Sequence, residues 1–462
     1  MIMSFIDREN EIKFLEDRYA QGKPQLIIIY GRRRVGKTEL VREFIRNKQA
    51  IYFLAEKGSI EINFERFVQR LAEAVYQEGI SFKGWAEAFE YLKRQNRKFI
   101  IAIDEFPYLI QSDHTITSTF QRIADEVLPN SNLYLILCGS SVSIMEDKVL
   151  AYRSPLYGRR TGQWQLNPLS FKESRLFVPD YNIEKQIETY AVAGNIPMYL
   201  LEFDDSLSIK ENIKKKILSK GSILYEEPKF VLNQEFNEAG IYFSIFEALA
   251  KGKNTVKEIS DIIRVDPRNI NKYLNLLIRL HYISKNYPLF YEKNKKKVRY
   301  HIRDNFFDFW FKFIRPNFSD LEVGDLENAE KKILPYFNAF VGRKFEQVAQ
   351  EVLMELNRKK KLPFEFDKIS NFWDNTKEGV AVEIDRIAVN EKEKRTLIVE
   401  CKWEEGVSVK KLLAESQEKV KSLPLFEGYK ISYAFFAKTF KHDMKDPSVL
   451  LFDLKGLEKA IA

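Results

Sequence analysis

The densest chemistry in the sequence is Gly31-Arg-Arg-Arg-Val-Gly-Lys-Thr38, which fits G-x-x-x-x-G-K-[ST]. Gly31 and Gly36 allow a tight turn whose backbone N–H groups point inward at phosphates, with Arg32, Arg33, Arg34 and Val35 supplying the rest of that cradle. Lys37 carries a point charge suited to β- and γ-phosphates, and the Thr38 hydroxyl is an Mg²⁺ ligand type. The short pattern alone can arise by chance, so its context decides. Pro24-Gln-Leu-Ile-Ile-Ile-Tyr30 before it is a short apolar run suited to a central parallel strand. Glu39-Leu-Val-Arg-Glu-Phe-Ile-Arg46 after it has helical apolar spacing, which puts a partly positive helix N-terminus, Glu39 included, beside the phosphates.

A second strand, Lys98-Phe-Ile-Ile-Ala-Ile-Asp104-Glu105, ends in two carboxylates. Asp104 is expected in the Mg²⁺ shell, and Glu105 is expected to orient or activate the attacking water. A third, Asn132-Leu-Tyr-Leu-Ile-Leu-Cys138, runs into Gly139-Ser140-Ser141, where Ser140 or Ser141 could sense the γ-phosphate or simply cap a helix. Tyr152-Arg153-Ser-Pro-Leu-Tyr-Gly-Arg159-Arg160 gathers arginines in a loop. Arg159 and Arg160 are candidates to reach a γ-phosphate, including that of a neighbouring copy in a homo-oligomer, or to pair with local carboxylates. The predicted cofactors are ATP and Mg²⁺.

A different chemistry lies near the C-terminus. Val380-Ala-Val-Glu-Ile-Asp385-Arg-Ile-Ala-Val389 alternates like a half-buried strand, and Thr396-Leu-Ile-Val-Glu400-Cys401-Lys402-Trp403 follows as another. Residues two apart share a strand face, so Glu400 and Lys402 project together. The Asp385…Glu400-x-Lys402 spacing resembles that of restriction-endonuclease-like folds, and the resemblance implies that Asp385, Glu400 and the Cys401 carbonyl hold Mg²⁺ while Lys402 positions or deprotonates water. Gly342-Arg-Lys-Phe-Glu346-Gln-Val-Ala offers Glu346 as an additional carboxylate. The same residues could also be two solvated strand faces.

Around these strands the chain must build several domains, since 462 residues suggest about three. With 45% hydrophobic and 14% aromatic residues, global disorder is excluded. Apolar runs are far shorter than the ~20 residues of a membrane span, and no signal peptide precedes Asp7-Arg8-Glu9. Cys138 and Cys401 lie in strand-like runs and there are four histidines, so no zinc cluster is expected and a cytoplasmic setting fits. A net charge of +8 admits a nucleic-acid partner, DNA foremost, without demonstrating one.

The stretch from Ile241 to Ile302 reads as three helices and a hairpin, a winged helix. The third helix, Pro267 to Leu280, carries Arg268, Asn269, Asn271 and Lys272, and a basic wing spans Lys293-Asn-Lys-Lys-Lys297. In DNA-binding modules such a helix enters the major groove and the wing meets phosphate, whereas in other ATPases the module is a protein-contact scaffold.

Taken together, Phe5-Ile-Asp-Arg-Glu-Asn-Glu11, Gly31 to Thr38, Phe99 to Glu105, Gly194-Asn-Ile-Pro197-Met-Tyr-Leu200 and His301 to Pro316 resemble the archaeal-type P-loop ATPases of the AAA+/STAND lineage. Members of that lineage carry a winged helix and a restriction-endonuclease-like, PD-(D/E)xK, C-terminal domain. The resemblance implies an N-terminal box packing on adenine and a lid in which Pro197 touches the base. Here Asn195 stands where the lid's glycine is expected, a residue that also tolerates left-handed backbone. The implied fold is multidomain α/β: a P-loop base with a parallel sheet (1–165), a helical lid (166–238), a winged helix and linker (239–315), and a mixed α/β nuclease-like domain (316–462).

Overall fold

A computed structural model describes residues 5–291, 294, 297–375, 379–442 and 444–461. Lys293, Lys295 and Lys296 of the expected wing lie outside the described residues. The chain divides into two compact units, Met1–Pro168 and Leu169–Ala462.

The first unit is built on five parallel strands: β1 (Gln25–Tyr30), β2 (Ala50–Leu54), β3 (Phe99–Asp104), β4 (Leu133–Gly139) and β5 (Gly162–Gln165), in the order β2-β3-β4-β1-β5. Every residue of β1, β3 and β4 is buried, as strands covered on both faces require. The strand feeding the phosphate loop and the strand ending at Asp104 are therefore separated by β4. Because all run the same way, the C-terminal ends of β1, β3 and β4 meet at one edge, with Tyr30 abreast of Gly139.

In the second unit, helices Ala239–Ala250, Val256–Ile263 and Pro267–Arg279 precede an antiparallel hairpin of β6 (Ile283–Asn286) and β7 (Arg299–Ile302). Thr255 and Glu258 form a capping box on the second helix, and Asp266 caps the third ahead of Pro267. The aromatic stretch that follows buries Phe306, Phe307, Phe309, Trp310 and Phe311, as a core stripe does. Helix Leu326–Arg358 then leads to a mixed sheet of β8 (Lys368–Asn375), β9 (Ala381–Asn390), β10 (Arg395–Lys402), β11 (Lys430–Ala437) and β12 (Val449–Phe452), in the order β12-β11-β10-β9-β8. β8, β9 and β10 pair antiparallel, and β10, β11 and β12 pair parallel. No helix among the described residues is long and apolar enough to cross a membrane.

Around Gly194, where the sequence places Asn195 at the expected glycine position, the backbone divides the roles differently. Gly194 takes the left-handed backbone (φ 74°), and Asn195 is absent from the positive-φ residues. The Asn195 side chain instead donates 2.6 Å to the Leu169 carbonyl, so a side-chain hydrogen bond fixes the turn and the glycine one position earlier supplies the torsion.

Candidate active site and the C-terminal acid cluster

The phosphate loop is shaped by torsions that side chains resist. Gly36 sits at φ 91° and Arg34 at φ 72°. A Cβ on Gly31 would run into the Leu166 carbonyl oxygen. The buried guanidinium of Arg8 reaches the Val35 carbonyl at 3.1 Å and the Asn167 carbonyl at 2.8 Å, bracing the loop from outside. Lys37, at the start of helix Lys37–Ile45, folds its ammonium onto the Arg32 carbonyl at 2.9 Å. Arg33 donates to the Tyr108 hydroxyl at 3.2 Å, whereas Glu39 is exposed and pairs with Arg42 at 3.6 Å. The loop thus holds its lysine against its own backbone.

Asp104 ends β3 almost wholly buried and accepts hydrogen bonds from neutral donors, among them Thr38 Oγ1 at 2.7 Å, Tyr52 OH at 2.8 Å and the Glu105 amide at 2.9 Å. The structure therefore brings Thr38 and Asp104 together, the pair expected to hold Mg²⁺. Two oxygen donors in contact, one of them a carboxylate with no cationic partner among the described residues, fit a hard divalent ion. Burial, and then the Asp104 charge, push the Tyr52 hydroxyl well above its usual range, so it remains a donor. The same two causes, burial first, raise Cys138 on the adjacent strand and keep it a thiol. Tyr52 was not legible in the sequence, because only the pairing of β2 with β3 places it there.

Glu105 turns left-handed (φ 55°, ψ 39°) ahead of helix Phe106–Ser112. That turn aims its carboxylate at the tip of β4, where Oε2 accepts the Ser140 hydroxyl at 2.7 Å and the Ser140 amide at 3.3 Å. Ser140 is buried, and a Cβ on its neighbour Gly139 would lie 2.7 Å from Met145 Sδ and from Pro107. Of the two loop arginines, Arg159 is tied to Asp125 at 2.7 Å and to the Pro155 carbonyl at 2.8 Å. Arg160 stands 5.6 Å from the Tyr157 ring, has a buried Nη1 with no hydrogen-bond partner among the described residues, and its charge is felt at Tyr30, the last residue of β1. Pro197, the expected lid contact, opens a short helix in the second compact unit.

In the C-terminal sheet, Asp385 stands between the other two expected acids. Its Oδ2 accepts the Cys401 amide at 2.8 Å. Glu400 accepts Lys419 Nζ at 2.6 Å, and Glu346 accepts Arg386 Nη1 at 2.9 Å while Gln350 takes Arg386 Nε at 2.7 Å. Burial first, and then the Asp385 charge, raise both the Glu346 and the Glu400 carboxyls. Lys402 is half-buried and lowers Glu400 in turn, in keeping with a shared face. Among the described residues, no group of three or more His, Cys, Asp or Glu side chains is arranged to hold a metal ion. Admitting one at Glu400 requires the Lys419 ammonium to move away. Lys419 lies on helix Val409–Lys421, and its approach to Glu400 left no trace in the local sequence spacing.

The hairpin is also engaged. Lys297 pairs with Asp374 at 2.6 Å and Arg299 with Glu383 at 2.9 Å, which holds β7 on the edge of β8 and β9. In the third helix, Arg268 pairs with Asp266 at 3.1 Å and keeps its side chain almost wholly exposed.

Comparison with known proteins places these features in a lineage. An ATPase domain described as predominantly from Archaea matches residues 5–203, and a family described as archaeal and bacterial proteins of unknown function matches residues 310–420. A protein of Methanocaldococcus jannaschii, "Uncharacterized protein MJECL04", is 37% identical over 453 residues, 98% of this chain and 99% of the relative. The chain belongs to the same archaeal family. The Walker-type ATPase PABY2304 of Pyrococcus abyssi is 22% identical over 67% of this chain and 96% of its own, with a TM-score of 0.51, and shows the shared fold. The Aeropyrum pernix ORC2 protein is 12% identical over 72% of this chain and 97% of its own, with a TM-score of 0.45. The first unit of this family member is an archaeal P-loop ATPase domain, and the unknown-function match spans Glu346, Asp385, Glu400, Lys402 and Lys419.

Proposed function

We propose that this archaeal ATPase hydrolyses ATP with Mg²⁺ and that its nucleotide state gates a DNA-binding, DNA-cleaving C-terminal half. The observation that carries the hydrolase reading is the 2.7 Å contact between Thr38 and Asp104 at the foot of the phosphate loop. Lys37 leaves the Arg32 carbonyl to meet the β- and γ-phosphates, and the loop amides orient them. Thr38 and Asp104 hold Mg²⁺, which offsets phosphate charge. Glu105 orients the attacking water after Ser140 releases its carboxylate. Arg160 is the γ-phosphate arginine, in its own copy or a neighbouring one, because Arg159 is held by Asp125.

For the second half, three helices followed by a hairpin support the winged-helix reading, with Arg268, Asn269, Asn271 and Lys272 facing DNA. The Asp385, Glu400 and Lys402 arrangement supports the nuclease-like reading, with Glu346 as the additional acid. A second reading, a nucleotide-controlled protein-interaction switch with an inactive nuclease-like domain, is favoured by Lys419 on Glu400 and Arg386 on Glu346.

The deciding experiment is cleavage of plasmid, branched and single-stranded DNA with Mg²⁺ or Mn²⁺, with and without ATP, alongside DNA stimulation of ATP turnover. Cleavage that disappears in Lys402→Ala supports the first reading. No cleavage and no stimulation leave the interaction switch.

A further inference from the structure

Helix Ile183–Ala193, the short helix Ile209–Asn212 and the long helix Leu326–Arg358 line a half-open cavity of about 290 Å³ in the second unit. Its walls are apolar: Ile209, Ile213, Ile333, Leu334 and Phe337, with Leu334 45% exposed at the mouth. The other polar groups that line it are engaged within the fold. The Ser208 hydroxyl caps its own helix through Glu211 at 2.7 Å, Lys210 pairs with Glu330, and Lys185 lies 5.1 Å from the Tyr181 ring.

Glu188 differs. It lines the same cavity, is half-buried, and makes no hydrogen bond or ion pair with any described residue. Burial pushes its carboxyl up to about 7; Glu184 adds to that push, and Lys438 and Lys185 oppose it. A partnerless carboxylate against an apolar wall is a cost to the fold, and no step of the nucleotide chemistry uses it.

We propose that this cavity binds a small primary amine with an apolar body of roughly six to eight carbons, its ammonium on the Glu188 carboxylate. The wall chemistry selects that class. An anionic lipid or acid meets like charge at Glu188, and a polyol finds no hydrogen-bond partners along Ile209, Ile213 and Ile333. A polyamine's second charge would meet only Glu330 in the lining, an acid that Lys210 already pairs. The volume, about ten water-sized spaces, matches one short chain. The inference is independent of the DNA reading.

The test is calorimetric titration of the full chain with n-hexylamine and with 1-hexanol, at mildly alkaline pH where Glu188 is charged. The expected result is saturable hexylamine binding on the order of 10-fold tighter than hexanol. Glu188→Gln should erase that advantage and leave hexanol binding unchanged. Leu334→Trp, closing the mouth, should weaken both probes. Unchanged ATP turnover in both variants shows that they fold. Hexylamine that binds no tighter than hexanol, or equally well to Glu188→Gln, overturns the proposal.

Discussion

At the end of β3 a buried carboxylate is met by two hydroxyls and an amide, whereas beside β9 and β10 the buried Glu400 and the half-buried Glu346 are met by an ammonium and a guanidinium. Asp104 is met by neutral donors and by no cation among the described residues, so an arriving cation has no other cation to displace. Lys419 and Arg386 already neutralise Glu400 and Glu346, so a metal there must exchange with a cation. The first site is poised for a ligand and the second is latched.

The comparison breaks first at Lys37. Lys37→Ala should lower ATP turnover on the order of 1,000-fold, because the β/γ-phosphate charge loses its fixed cation. A parent-like rate would remove the nucleotide site from the comparison. Glu105→Gln should keep ATP affinity and lose turnover on the order of 100-fold, as only the water-orienting carboxylate changes. Equilibrium binding measured beside steady-state hydrolysis separates the two variants.

On the latched side, Lys419→Met strands the Glu400 charge in a site where its side chain is 2% exposed. We expect a loss of about 2 kcal/mol in urea unfolding, below the cost for a fully buried pair because the Lys419 side chain is 33% exposed. Adding Glu400→Gln should recover most of it. If the single variant is as stable as the parent, Lys419 does not neutralise Glu400 and the contrast between the two sites weakens.

Glu351 offers the finest test, since it is a half-buried acid whose hydrogen bonds among the described residues come from neutral donors: the Phe171 amide at 2.6 Å and the Tyr190 hydroxyl at 3.3 Å. Burial raises it from 4.5 to about 7, more than these donors offset. The fold thus favours the protonated acid, and the stability this contributes is present below pH 4.5 and lost as pH rises through about 7. Glu351→Gln should therefore be about 1 kcal/mol more stable than the parent at mildly alkaline pH and equal to it near pH 4.5. Thermal unfolding at the two pH values measures the difference.

The phosphate loop was readable because its function lies in consecutive residues: Gly31 and Gly36 set the torsions, and Lys37 and Thr38 follow at once. Asp104 and Glu105 were readable for the same reason, as the end of a continuous apolar strand. The Glu105–Ser140 contact joins the ends of two strands, and Ser140 could equally have capped a helix by its local pattern. The Asp385…Glu400-x-Lys402 spacing was visible, yet its partners came from helices Leu326–Arg358 and Val409–Lys421. The basic hairpin read as a phosphate-binding wing, while Lys297 and Arg299 rest on Asp374 and Glu383.

The sequence by itself determined which backbone could wrap phosphate and which strands carry acids, because torsion preference and strand burial are written into neighbouring residues. Only the tertiary structure decided what answers each buried charge. Compensation of a charge depends on which distant side chain packing brings within about 3 Å, and no local pattern encodes that distance.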